Sequence, residues 1–354
     1  MPAGPSVTSW RMIRIAAMTA AAALLLPAVG STRGYTLVVF HPGPRTIDEV
    51  DPASGKILRQ LQVENQPHEA VITPDGKTIF ASIPAAGVVV VIDAATLTQK
   101  GRIESEDFKA PPHPQGRKGQ MTTSASPHAI ALDNDGAKLY VGLSWREHPG
   151  VVVYDTKAGK TLKKIDLPAS GEFMRVQPET GRLFVPTREG LVVIDTKKDE
   201  IEKTIPIPGN PVGVDFGRKG EVWTSENGDS TVTVIDEKLE PVKTIQTGGK
   251  GAGRMALSSD GKWAAATHEG TEDIVLFDVA KREAVATINV GKGASLPIFS
   301  PDSARLYVMT AGGPCSESCP GNVVVIDVAN AKLLTHYKVA DDAFAAVIRF
   351  SGGK

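Results

Sequence analysis

Cysteine is nearly missing from this 354-residue chain: there are two, Cys315 and Cys319. They are spaced Cys-x3-Cys with no Cys-x-x-Cys-His run, which excludes covalent haem attachment at this pair. A dinuclear copper motif would need histidine four residues after the second cysteine, and Val323 stands there. Excess charge is missing too, since the net charge is −1. Nucleic-acid binding wants clustered surplus Lys and Arg, so no nucleic-acid partner is expected. Beyond residue 30 there is no apolar run long enough to span a bilayer.

The one long apolar stretch, Ile15 to Leu26, follows Arg11 and Arg14 and precedes the small residues Ala28-Val29-Gly30. That order predicts a secretory signal peptide over 1–30, cleaved before Ser31, with a mature domain over 31–354. No cysteine follows the site to take a lipid, and Met12-Ile13 separates the arginines that a twin-arginine signal would pair. The expected location is periplasmic or secreted, with no membrane span after cleavage. Removing Arg11 and Arg14, the only charged side chains of the first thirty, takes the net charge to −3.

What the chain has instead is a repeat. Seven times a run of β-branched and aliphatic residues ends in aspartate: Asp51, Asp93, Asp155, Asp195, Asp236, Asp278 and Asp327. The spacings are 42, 62, 40, 41, 42 and 49 residues. A strand-like period near 40–45 predicts an all-β, seven-bladed propeller with one four-stranded blade per repeat. Residues 129–167 show the unit. Ala129-Ile130-Ala131-Leu132 is strand A, Asn134-Asp135-Gly136 a tight turn, Lys138-Leu139-Tyr140-Val141 strand B, Gly150 to Tyr154 strand C and Thr161 to Leu167 strand D. The repeated aspartate is expected to accept hydrogen bonds from the turn that follows it.

The ends of the chain are complementary. Ala345 to Phe350 reads as a strand A with nothing after it, and Tyr35 to Phe40 as a strand B with no A before it. One C-terminal and three N-terminal strands would therefore complete the seventh blade, removing the exposed sheet edges that an open array would carry.

At the ends of strand B, Leu139-Tyr140-Val141-Gly142, Leu183-Phe184-Val185-Pro186 and Leu306-Tyr307-Val308-Met309 resemble the Tyr-Val-Thr-Asn element of YVTN-repeat propellers. Val193-Ile194-Asp195-Thr196 resembles the other half of that repeat. The likeness covers residues 35 to 350. It implies a fold shared with periplasmic YncE-like proteins, seven-bladed lactonases and propeller subunits of periplasmic redox enzymes. The tryptophan docking motif and adjacent cysteines of eight-bladed quinone dehydrogenases are missing, so no such cofactor is expected, and the cofactor stays unknown.

Strand order puts A–B and C–D turns at one end of the ring and B–C and D–A loops at the other. Tight Asp-Gly turns fill the first end and leave little room for a site. The long segments Glu104 to Ser126, Leu143 to Gly150 and Ala311 to Gly321 fall at the second, which is the expected functional face. Candidates for binding a small ligand or a periplasmic protein partner there are His68, His128, Trp145, Arg146, Arg188, Glu189, Glu226, Arg254 and His268. His68 and His128 each follow proline, seven residues before a turn aspartate. Two histidines need a third ligand to hold a metal, so the metal content stays open. Cys315 and Cys319 are expected to form a disulfide in an oxidising compartment, with Cu(I) as the alternative.

No catalytic residue is assigned, and a monomeric, non-catalytic binding or scaffold protein is expected. A lactonase-type hydrolase is the first alternative, with Glu189, Glu226 or His268 as base and Arg188 or Arg254 as cation. An accessory protein in periplasmic redox or metal handling is the second.

Overall fold

The computed structural model describes residues 34–108, 127–144, 148–311 and 321–351. The signal-peptide segment, Cys315, Cys319, Trp145 and Arg146 lie outside the described residues.

Each repeat folds as a four-stranded antiparallel sheet. Blade 1 is Ala70–Ile72, Thr78–Ile83, Val88–Asp93 and Thr98–Ile103. Blade 2 is Pro127–Leu132, Lys138–Leu143, Gly150–Asp155 and Lys160–Asp166. Blade 3 opens with a short strand A, Arg175–Val176, followed by Leu183–Thr187, Gly190–Asp195 and Glu200–Ile205. Blade 4 is Pro211–Phe216, Val222–Glu226, Thr231–Ile235 and Pro241–Gln246. Blade 5 is Ala252–Leu257, Trp263–His268, Asp273–Asp278 and Glu283–Asn289. Blade 6 is Ala294–Phe299, Arg305–Thr310, Asn322–Asp327 and Lys332–Lys338. The seven sheets make a seven-bladed β-propeller.

Blade 7 joins the two ends of the chain. Its strand A is Ala345–Phe350, paired antiparallel with Tyr35–His41, and Thr46–Val50 and Ile57–Gln62 follow. Six residue pairs, from Tyr35↔Phe350 to Phe40↔Ala345, hold the closing seam. Apolar packing closes the same ring. Seven buried clusters each join two neighbouring blades, including blade 6 to blade 7 through Met309 and Val39, and blade 7 to blade 1 through Phe40 and Ile79. The β-branched runs of strands B and C supply these clusters because both faces of a blade are covered by neighbours. Such strands read as continuous apolar runs, not as alternating ones.

The repeated aspartate serves the turn in every blade. Asp51 accepts from Ala53 N, Asp93 from Ala95 N, Asp155 from Lys157 N, Asp195 from Lys197 N, Asp236 from Lys238 N, Asp278 from Lys281 N and Asp327 from Asn330 N, over 2.8–3.1 Å. At the A–B turns Gly76, Gly136 and Gly261 take positive φ, and Ser303 adopts the same conformation in blade 6.

Candidate functional site

The chain enters strand A of most blades through a β-bulge. Register shifts fall between Pro127 and Ile130, Pro211 and Gly213, Ala252 and Met255, and Ala294 and Pro297. A bulge re-aims the side chains it contains, and His128 and Arg254 occupy two of these bulges. Hydroxyls on strand B of blades 1, 4 and 5 tie down the strand A entry of the next blade. Ser82 donates to His128 O at 2.7 Å and accepts from Glu69 N at 3.0 Å. Ser225 bonds Gly253 O, and Thr267 donates to Ser295 O at 3.1 Å. The innermost strands are thus pegged to one another at the loop-face end, around the axis.

A compact cluster forms there. Arg254 is 5 % exposed, and its guanidinium lies 3.9 Å from the Phe173 ring centroid and 4.2 Å from that of Phe344. Its Nη2 meets Glu69 Oε1 at 2.5 Å, and its Nη1 donates to Phe344 O at 3.3 Å. The His68 ring stacks on His128 at 4.0 Å and on Phe344 at 4.6 Å. Burial dominates the protonation of this cluster. Burial, joined by the charges of His128 and Arg254, holds His68 down at about 2, and burial joined by the Arg254 charge holds His128 down at about 4, so both imidazoles are neutral. Burial also pushes the Glu69 carboxyl up, opposed by Arg254. The guanidinium keeps its proton in proteins, and Glu69 is its counter-charge.

Above this layer, on the loop face, lies a cavity of about 300 Å³ lined by His128, Ser144, Ser170, Gly171, Glu172, Arg188 and Asn210. Blades 2, 3 and 4 contribute to it. The Glu172 carboxyl is raised by partial burial, with Arg254 working against the shift. Arg188 keeps 69 % of its side chain in solvent, 3.5 Å from Glu189. His128 and Arg188 of the expected set therefore share one cavity. His68 and Arg254 lie directly against His128 or in its field.

Glu226 and His268 sit elsewhere. Both end a strand B, as His41 does in blade 7, and all three are fully buried. Glu226 Oε2 accepts from Thr231 Oγ1 at 2.7 Å, and burial lifts the carboxyl to about 8. His268 bridges Asp273 Oδ1 at 2.6 Å and Thr247 Oγ1 at 2.7 Å. Gly249 covers the His268 ring so closely that an added Cβ would stand 2.2 Å from Nδ1. His268 thus staples a D–A loop to the B–C hairpin of blade 5, and Glu226 ties together the two strands of the B–C hairpin of blade 4. Sequence alone did not single out Glu69, Phe173 and Phe344. Their signal is their position: Glu69 follows the Pro-His pair of blade 1, and Phe173 and Phe344 stand just before a strand A.

Strand A also encloses a second cavity, of about 470 Å³, along the axis. It reaches Pro74, Asn134 and Pro178 at the A–B turns and ends inward at Glu69. The turn face, expected to be filled by tight hairpins, is therefore open at its centre. The hairpins are short but lie in a circle, and the space inside it remains. Among the described residues no cluster of three or more His, Cys, Asp or Glu is placed to hold a metal ion.

No family model matches this chain, and no curated protein matches it by sequence. Solved structures share its fold. A functionally unknown protein from Desulfotomaculum acetoxidans DSM 771 is 13 % identical with a TM-score of 0.70, covering 90 % of this chain and all of that one. The dihydro-heme d1 dehydrogenase NirN, solved in complex with DHE, is 15 % identical with a TM-score of 0.61, covering 89 % of this chain and 75 % of NirN. At such identities the likeness establishes the propeller fold.

Proposed function

We propose that this chain is a secreted or periplasmic propeller of the YVTN-repeat kind that acts as a non-catalytic binding protein. It takes a small polar ligand or a protein partner on its loop face. The observation that carries this reading is the polar cavity over the axial cluster, where Glu172, Arg188, Asn210 and His128 converge from three blades. Convergent polar groups in a cavity on a rigid frame are the usual form of a ligand site. The floor of stacked rings and a buried ion pair is rigid, so little ordering is required on binding.

A lactonase-type reaction finds less support. It requires a base and a cation beside one developing oxyanion. Glu226 and His268 are enclosed and engaged with their own loops, and Arg254 is enclosed against aromatic rings. A role in redox or metal handling is the second reading. It is favoured by the Nδ1 atoms of His68 and His128, both buried and without a hydrogen-bond partner.

A thermal-shift screen on the mature protein tests the first reading. Its hits should lose about tenfold in affinity in Arg188→Ala and Asn210→Ala, a loss of the size expected for one hydrogen bond to a charged group. Asp260→Asn, on the turn face, should bind as the parent does. Hits insensitive to both loop-face changes refute the assignment. Stoichiometric copper in the protein as isolated moves the choice to the second reading. Protein recovered from the periplasm should begin at Ser31.

A further inference from the structure

We propose that the axial cavity is a binding chamber, separate from the loop-face site, for an elongated apolar molecule bearing one anionic headgroup, such as an alkyl carboxylate. The chamber opens among the A–B turns and is closed inward by the layer containing Glu69 and Arg254. Its walls are aliphatic side chains from five blades: Ile72, Leu132, Val176, Leu296, Ile298 and Ile348. Each is partly exposed although it lies on an innermost strand. Concave apolar surface left in contact with water, at about 470 Å³, has the size and character of a small-molecule site.

The headgroup preference comes from Arg175, the one cation among the described residues lining this chamber. Its side chain is 47 % exposed and contacts Asp215 Oδ1 at 3.0 Å. That carboxylate is already committed, since Oδ1 also accepts from Phe216 N at 3.0 Å and Oδ2 from Leu257 N at 2.7 Å. Of the other acids in the wall, Glu69 is matched by Arg254. Asp133 accepts from Lys138 N at 3.0 Å, and burial pushes its carboxyl up. A guanidinium has five N–H donors in a planar fork that suits a carboxylate. Arg175 therefore offers unused donors beside a greasy wall.

Calorimetric titration of the mature protein with hexanoate, octanoate and decanoate, and with the matching 1-alkanols, tests this. One site per chain is expected, with Kd tightening about fourfold for each added methylene until the chamber is full. Arg175→Gln should weaken decanoate about tenfold and leave decanol unchanged. Ile298→Trp, which fills the chamber, should abolish both while circular dichroism stays that of the parent. If that variant does not fold, the chain-length series with Arg175→Gln decides alone. The proposal is overturned by an absence of saturable binding, by more than one site per chain, or by decanoate affinity that Arg175→Gln leaves unchanged. None of these results bears on Arg188 or Asn210, so this proposal and the loop-face reading fail independently.

Discussion

Arg254 keeps a full charge on the propeller axis because Glu69 neutralises it and two aromatic faces lie against it. Removing one partner of a buried pair leaves the other charge uncompensated. Arg254→Ala should thus cost about 3–5 kcal/mol in urea denaturation. An Arg254→Met/Glu69→Leu double variant should recover most of that loss. If the double variant is as unstable as the single one, packing and not charge is the cause.

Two groups of buried residues make opposite predictions about pH. The folded protein holds the Glu226 proton up to about pH 8, against 4.5 for the free group. The stability this adds is complete below 4.5 and is lost as pH rises through 8. Glu226→Gln should therefore gain on the parent progressively between pH 4.5 and 8 and level off above that. Parallel stability curves would rule out a protonated Glu226. His128 behaves the other way. Its folded value of about 4, against 6.5, gives stability that is full above 6.5 and fades as pH falls toward 4, with His68 extending the loss to about 2. His128→Phe should flatten the acid side of the stability curve, and denaturation midpoints from pH 7.5 to 4.5 would measure it.

At the scale of strands and loops, the hydroxyl pegs decide how the axial residues are aimed. Ser82 is fully buried and serves both Glu69 N and His128 O, so Ser82→Ala should cost about 1–2 kcal/mol. It should also weaken loop-face binding, because His128 loses its anchor. Unchanged binding in a destabilised Ser82→Ala would separate the peg from the site. The strands themselves could be read from the sequence: runs such as Val88 to Ile92 and Val323 to Ile326 fit nothing but buried sheet, and each is closed by its aspartate. The bulges could not be read, since they depend on the pairing of one strand against another. The Pro-His positions could be placed near the axis from the repeat. The stacking of His68 on Phe344 depends on a residue some 276 positions away in the chain. Glu226 and His268 read as loop residues because polar groups follow the strand. They lie inside, where Asp273 and Thr247 satisfy both nitrogens of His268 and Thr231 bonds one oxygen of Glu226.

The molecule as a whole is a ring held by one seam. Deleting 344–354 removes strand A of blade 7, whose residues pack in the clusters joining blade 7 to both blade 1 and blade 6. The inner edge of Tyr35–His41 would be bared, together with apolar surface facing blades 1 and 6. Aggregation or loss of a cooperative melt is expected, and a truncated protein melting like the parent would contradict closure at this seam. The ring also separates two faces, with the buried Arg254 layer between the loop-face cavity and the axial chamber. The central functional claim is that polar ligands or partners bind the first of these. Hydrogen–deuterium exchange with and without a screened polar ligand tests it most directly. Protection should appear at Leu143–Ser144, Ser170–Glu172 and Thr187–Glu189 and vanish in Arg188→Ala. Protection confined to the turns at Asp135, Thr180 and Asp260 would contradict it.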